Sequence, residues 1–255
     1  FVTITKADPD GVVQYDELYF ASNGWTSPDN GVTVTKNLTY GYVSLRPSTN
    51  VLTYYLDQQS NLTSRLRPVD TVTETIPIQV TDGQLTASAN VVFTIDGQND
   101  EPGLFRVNGL VGATEDTEFE ITYGALTNNS QLADIDGGVT AFVVKNVTSG
   151  VLKIGATSQT ATAWNATNNA IISNGLNAYW TPALNANGTL AAFTVVVRDD
   201  GGLESLNPLQ VNIQVAPVND LPVVGQIAAV TYRNNNGLDV FSNDTGTVSA
   251  SDVDS

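Results

Sequence analysis

The sequence predicts an all-β protein built of tandem β-sandwich modules, and three observations carry that expectation. The composition is rich in Thr, Val, Asn and Gly, with few of the Ala, Leu, Glu and Lys combinations that make amphipathic helices. Short runs of alternating apolar and polar residues are separated by clusters of Gly, Pro, Asn and Asp, the punctuation of strands and turns. Finally, Asn99-Asp100-Glu101-Pro102 returns as Asn219-Asp220-Leu221-Pro222, and Asp-x-Asp occurs as Asp8/Asp10, Asp134/Asp136 and Asp252/Asp254. Self-similarity at a fixed period sets the architecture before any residue has a role, and this period is about one small domain.

In chain order, Val2-Thr3-Ile4-Thr5 alternates as a strand and Asp8-Pro9-Asp10-Gly11 is a turn signal. Val12-Val13-Gln14-Tyr15 leads to Asp16-Glu17-Leu18-Tyr19-Phe20, where a short helical turn is expected. Residues 40–45 alternate cleanly, and with 51–56 after Pro47-Ser48-Thr49-Asn50 they make a hairpin. Residues 73–80 and 89–95 make another across Thr81-Asp82-Gly83-Gln84, and the proline of Asn-Asp-x-Pro ends the strand before it. Further on, residues 141–147 and 151–154 are expected as a third hairpin, with strands at 119–122, 193–197 and 211–215. The predicted modules are 1–102, lacking an N-terminal strand, 103–222, and the start of a third at 223–255.

Composition excludes several functions. With 26 acidic against 10 basic residues the formal charge is −16, which opposes binding to nucleic acid or anionic membrane and favours cations. The sequence has neither Cys nor His, so thiol chemistry is absent and the commonest general base and transition-metal ligand are missing. No apolar run reaches the roughly 18 residues of a membrane span. The start, Phe1-Val2-Thr3-Ile4-Thr5-Lys6, is not a signal peptide, and the chain reads as an excerpt from a longer one. Trp25, Trp164 and Trp180 are expected in the cores more than on a sugar-binding face. No catalytic residues are expected, since nothing predicts the cleft a two-carboxylate glycosidase needs.

The first hundred residues resemble the VCBS repeat of very large bacterial surface proteins. The resemblance rests on Tyr40-Gly41, Leu52-Thr53-Tyr54, Leu56-Asp57, Thr73-Glu74-Thr75, Val80-Thr81-Asp82-Gly83 and Thr94-Ile95-Asp96-Gly97-Gln98-Asn99-Asp100-Glu101-Pro102, in that order. Asn50 stands where the family usually has a turn glycine, and Glu74 where it usually has Asp. The second module is similar to cadherin-like repeats of repeats-in-toxin-type adhesins. Its landmarks are Thr114-Glu115-Asp116-Thr117, Ala133-Asp134-Ile135-Asp136-Gly137-Gly138, Tyr179-Trp180-Thr181-Pro182 and Arg198-Asp199-Asp200-Gly201-Gly202. Regular short strands and these landmarks predict sandwiches of the immunoglobulin/cadherin-like kind.

In that topology the loops after the second and sixth strands return to the end where the chain enters. The Asp134/Asp136 and Asp199/Asp200 loops are therefore expected beside the incoming linker Asn99-Asp100. Residues two apart in extended chain share a side, so Asp134 and Asp136 can face one ion. Oxygen ligands alone, in a flexible shell, favour calcium over magnesium. The same construction at the next junction uses Asn219, Asp220, Asp252 and Asp254, with Glu115 from the far end of the second module. Asp8, Asp10 and Asp82 form the matching half-site at the start. Cadherin-like domains hold calcium in this way, as the resemblance implies. The bland reading is that these Asp-Gly and Asn-Asp pairs are turn formers.

The expected function is that of a non-catalytic extender segment of an extracellular or cell-surface bacterial adhesin, stiffened by calcium, serving adhesion or biofilm attachment. Its partners would be adjacent repeats of the same or a neighbouring chain and host, matrix or carbohydrate ligands, with no nucleic acid and no membrane insertion. Two alternatives are a carbohydrate- or protein-binding module and the subunit of a filament assembled by strand complementation.

Overall fold

The computed structural model describes residues 1–225 and 248–252, and the chain forms two compact units. Asp254 and most of the expected third module lie outside the described residues. The protein is all-β, with two short helices among the described residues.

The first unit comprises Phe1–Gly103, Ala133–Thr140 and Arg198–Leu206. Its elements are β1 (Val2–Thr3), β2 (Gln14–Tyr15), α1 (Glu17–Ser22), β3 (Val34–Asn37), β4 (Gly41–Arg46), β5 (Val51–Leu56), β6 (Thr71–Thr81) and β7 (Thr86–Asp96). They make a four-stranded sheet, β1-β5-β4-β3, and a three-stranded one, β2-β6-β7. Tyr15, Phe20, Trp25, Val43, Leu45, Leu52, Ile76 and Ile78, from both sheets, α1 and the loop after it, pack into one cluster. Alternation decides the register: Val43 and Leu45 are buried while Tyr42 and Arg46 on either side of them are exposed. Asp16 starts α1 by accepting from the Tyr19 amide at 3.0 Å, so the helical turn delivers Phe20 to the core. Asn50 closes the β4–β5 hairpin at φ 57°, the left-handed conformation that glycine adopts freely and Asn tolerates. The β6–β7 hairpin runs in unbroken register from Thr71↔Asp96 to Thr81↔Thr86.

The second unit comprises Leu104–Leu132, Ala141–Val197 and Asn207–Ser255. Its strands are β8 (Gly103–Val107), β9 (Leu110–Thr114), β10 (Phe119–Ile121), β11 (Ser130–Ala133), β12 (Val139–Val147), β13 (Val151–Gly155), β14 (Thr162–Ala163), β15 (Ile171–Ser173), β16 (Asn177–Thr181), β17 (Gly188–Asp199), β18 (Leu209–Ala216), β19 (Val223–Val224) and β20 (Ala250–Ser251). A helix, α2 (Tyr123–Asn128), that the sequence reading did not anticipate is capped by Thr122. The sheets are β10-β16-β13-β14 and β15-β12-β17-β18-β9, with the pairs β8-β11 and β19-β20. Ile121, Leu152, Ile154 and Trp180 of the first sheet and Phe142, Phe193, Val195, Val211 and Ile213 of the second are buried.

One expectation fails here: β12 and β13 do not form a hairpin, because they belong to different sheets. The connection Thr148-Ser149-Gly150 carries the chain between them. The Trp180 indole donates to the Ser149 carbonyl at 2.8 Å, and a Cβ at Gly150 would lie 2.3 Å from the Thr181 carbonyl oxygen. The turn is pinned to β16 instead of folding β13 back on β12.

Candidate functional site

Sequence elements far apart in the chain gather the acidic residues of the first unit. The linker at 99–102 follows β7, the 133–138 turn precedes β12, and the 199–203 turn follows β17. The Asn99 side-chain amide donates to Asp199 Oδ2 at 2.8 Å, and the Asp100 backbone amide donates to Asp136 Oδ2 at 3.3 Å. Asp199 also accepts from the Leu203 amide at 2.8 Å, and Thr140 donates to the Asp199 carbonyl at 2.9 Å, which fixes the two turns together. Arg198 and Glu204 close the base of the second turn with a 2.6 Å ion pair.

Glycines make room for this. A Cβ at Gly137 would sit 2.2 Å from Asp200 Oδ1 and 3.1 Å from Asp134 Oδ2, and one at Gly201 would sit 1.9 Å from Asn99 Oδ1. The Gly138 amide donates to Asp200 Oδ1 at 3.2 Å.

The electrostatics are unbalanced. Asp136 is 6 % exposed and Asp199 2 %. Asp136 Oδ1 and both carboxylate oxygens of Asp134 are buried without a hydrogen-bond donor. Burial first, then the charges of Asp136 and Asp199, push the Asp134 carboxyl above its ordinary value. The Arg67 guanidinium is held by Asp70 at 3.2 Å, and Asp200 adds only weakly to the field that raises its pKa. Among the described residues no three carboxylates converge tightly enough to hold a metal ion as they stand. The arrangement offers carboxylate oxygens lacking donors.

The other predicted residues have different occupations. Asp8 Oδ1 accepts from the Asp10 amide at 3.0 Å, a local turn, and Asp82 Oδ1 accepts from the Gln84 and Leu85 amides at 2.7 Å each. These backbone donors hold the Asp82 carboxyl below its ordinary value. In the second unit Glu115 is 1 % exposed and fully engaged: Oε1 takes the Val218 amide, and Oε2 the Asn187 side-chain amide at 3.1 Å. Asn219 donates to the Asp220 carbonyl at 3.0 Å. Asp252, half-buried just past β20, makes an interaction within the fold.

Asp116 and Asn185 had no place in the sequence-derived set. Asp116 accepts from the Asn185 backbone amide at 2.9 Å. With its side-chain nitrogen turned toward the carboxylates, Asn185 also donates to Asp220 Oδ2 at 3.2 Å and Asp116 Oδ2 at 3.3 Å. Both residues have φ 57°, and short polar side chains where the backbone must turn left-handed were the available signal. The tryptophans are structural: Trp25 is 5 % exposed and Trp180 fully buried, while Trp164 is half-buried with its indole 3.3 Å from the Val144 carbonyl.

No protein-family model and no curated protein matches the chain. Among solved structures it is similar to an endo-fucoidan hydrolase from glycoside hydrolase family 107, at 15% identity and TM-score 0.27, covering 83% of this chain and 24% of that one. It is also similar to domains 4 and 5 of the S-layer protein SbsC, at 13% identity and TM-score 0.24, covering 76% and 96%. A longer SbsC structure, domains 4–9, gives 12% identity and TM-score 0.23, covering 81% and 32%. Likenesses this distant carry no argument about what the chain does. No described helix is long and apolar enough to cross a membrane.

Proposed function

We propose that this chain is a non-catalytic structural segment of a bacterial cell-surface or secreted adhesin, in which calcium stiffens the linker at 99–102. The observation that carries the reading is the set of buried oxygens of Asp134 and Asp136 that lack any donor. An ionised carboxylate taken from water without a partner is costly, and a divalent cation removes that cost. Asp134, Asp136, Asp199 and Asp200 with Asn99 and Asp100 supply the oxygens, and backbone carbonyls and water complete the six to eight that calcium takes. The ion then ties the linker to the turns at 133–138 and 199–203. Without it the like charges repel and the joint loosens. The motif resemblance to VCBS and cadherin-like repeats and the net charge of −16 support the same reading.

At the second junction Asn219, Asp220, Asp252 and Asp254 remain the proposed ligands, whereas Glu115 already has protein donors for both oxygens. A carbohydrate-binding reading has one observation in its favour: Tyr42 and Tyr55, 41% and 46% exposed, stack at 4.7 Å on β4 and β5. Two rings on a flat sheet are a small platform, and a glycan array screen of the isolated chain separates this reading from the structural one. The structural reading is tested by calorimetric titration with calcium and by thermal melts in calcium against chelator. Binding heat and a raised melting temperature are expected, and the absence of both would sink the proposal.

A further inference from the structure

The long hairpin strand β7 is an open edge. Its one sheet neighbour among the described residues is β6, whereas β18, the last strand of the second unit's five-stranded sheet, is covered on both sides, by β17 and by β9 running parallel to it. Edges that stay solitary are guarded by proline, charge, a bulge or a covering element. Residues 86–95 contain no Pro and no charged residue, in a chain of net charge −16, and the register with β6 has no bulge. Such an edge is a template for another strand.

The hydrogen-bond phase shows which groups it offers. Asp82 N donates to Leu85 O at 3.3 Å, so 82/85 is a bonded pair, and bonding alternates from there along β6 and β7. Two further facts fix the same phase. Pro77, which has no N–H, sits opposite Asn90, at a pair that needs none. The Gln79 carbonyl points away from β7 and accepts from Asp16 N at 3.1 Å. Thr86, Ser88, Asn90, Val92 and Thr94 therefore direct their N–H and C=O groups to the open side.

We infer that a second copy of this chain seats its own β7 antiparallel on β7, centred on Asn90. The side chains are self-complementary about that centre. Ser88 meets the partner's Val92, Ala87 meets the partner's Phe93, Ala89 meets the partner's Val91, and Thr86 meets the partner's Thr94. Each bulky residue of the C-terminal half faces a small one of the N-terminal half, and Val92, 55% exposed, gains a cover. No charged side chain opposes another, so two strongly acidic chains meet where neither repels. The two-fold arrangement closes on itself, as isologous dimers do. This inference is independent of the cation site.

The absence of cysteine makes the test direct. Facing residues of a bonded antiparallel pair have Cα atoms about 5.5 Å apart, within disulfide reach. In chelator and oxidised glutathione, Asn90→Cys is expected to cross-link into a covalent dimer and Ser88→Cys, which faces the partner's Val92, to remain uncrosslinked. Sedimentation of the cysteine-free chain should show a concentration-dependent dimer, lost in Asn90→Pro, which removes an outward N–H and leaves the β6–β7 ladder intact. If Asn90→Pro loses its β-sheet circular dichroism, Asn90→Lys replaces it, placing like charges opposite one another. A monomer at every concentration, a dimer that Asn90→Cys does not cross-link, or equal cross-linking by Ser88→Cys overturns the inference.

Discussion

The side-chain amide of Asn99 donates to the Asp199 carboxylate at 2.8 Å across 100 residues of sequence. The contact exists only because Gly201 lacks a side chain, since its Cβ would lie 1.9 Å from Asn99 Oδ1. Gly137 bears the same relation to Asp200 at 2.2 Å, while Gly138 beside it has nothing within 4 Å. Gly201→Ala should cost about 1–3 kcal/mol, the scale of overpacking, because it displaces the half-buried Asn99 side chain and its bond to Asp199. Gly137→Ala meets chiefly the end of the exposed Asp200 side chain and should cost less. Gly138→Ala should be close to neutral, because it keeps the amide that reaches Asp200. Urea denaturation of the three variants checks this, and equal stability for Gly201→Ala and Gly138→Ala would contradict the geometry.

The buried oxygens of Asp136 lead to a crossing of effects. Asp136→Asn removes a buried charge whose Oδ1 has no donor, so in chelator the variant should melt above the native chain. In calcium the order should reverse. A cation bound as proposed, at a free concentration about 100 times its dissociation constant, would add roughly 2.7 kcal/mol per site to the native chain. The variant should lose most of that gain. Paired melts of both proteins in calcium and in chelator read it, and parallel curves in the two buffers would contradict the cation role.

Local signals in the sequence placed much of the first unit, though not β3 at Val34–Asn37. The hairpins around Pro47-Ser48-Thr49-Asn50 and Asp82-Gly83 stand where turn chemistry and alternation put them, and the helical turn after Asp16 is there with its cap. The Asn99-Asp100 linker does meet the turns at Asp134/Asp136 and Asp199/Asp200, an expectation that came from the sandwich topology the motifs suggested and not from any local signal. The crossing from β12 to β13 was not legible. Three short polar residues joining two apolar runs look like a hairpin, and only Trp180, some thirty residues on, decides that the chain changes sheets. Asp116 and Asn185 escaped for a related reason, since their left-handed backbone becomes visible only once the turns are folded.

Glu74 has a role that its neighbours along the chain do not disclose. At 7% exposure it accepts from the Thr39 and Tyr40 amides at 2.6 and 3.1 Å and from the Tyr54 hydroxyl at 2.8 Å. Burial first, then this bond to Glu74, raises the Tyr54 hydroxyl pKa. Hydrogen bonds to charged groups contribute about 1.5–3 kcal/mol. Tyr54→Phe should lose about one such bond, and Glu74→Ala more, since it strands two amides and the hydroxyl. The double variant should fall short of the sum by about 1 kcal/mol or more, because both changes remove the same contact. Additive losses in a urea double-mutant cycle would place the two side chains in separate interactions.

Asp134 makes the stability of the first unit depend on pH in a direction opposite to most of the other shifted carboxylates. Its folded carboxyl lies above the ordinary value of 3.8, through burial and then the charges of Asp136 and Asp199. Between 3.8 and the raised folded value the native state holds a proton that the unfolded chain has released, so stability from this group falls as pH rises through that window. Asp70 and Asp82 act the other way: their depressed folded values mean that stability is lost as pH falls. The net curve mixes these contributions, but the difference between the native chain and Asp134→Asn isolates one of them. In chelator that difference should move in favour of Asp134→Asn as pH is raised from about 4 to 7. Calcium needs the ionised carboxylate, so its apparent affinity for the native chain should weaken as pH falls into the same window. Melts of both proteins across that range, with and without calcium, read both effects. A difference that stays flat in chelator would mean that Asp134 is as well solvated in the folded protein as in the unfolded chain.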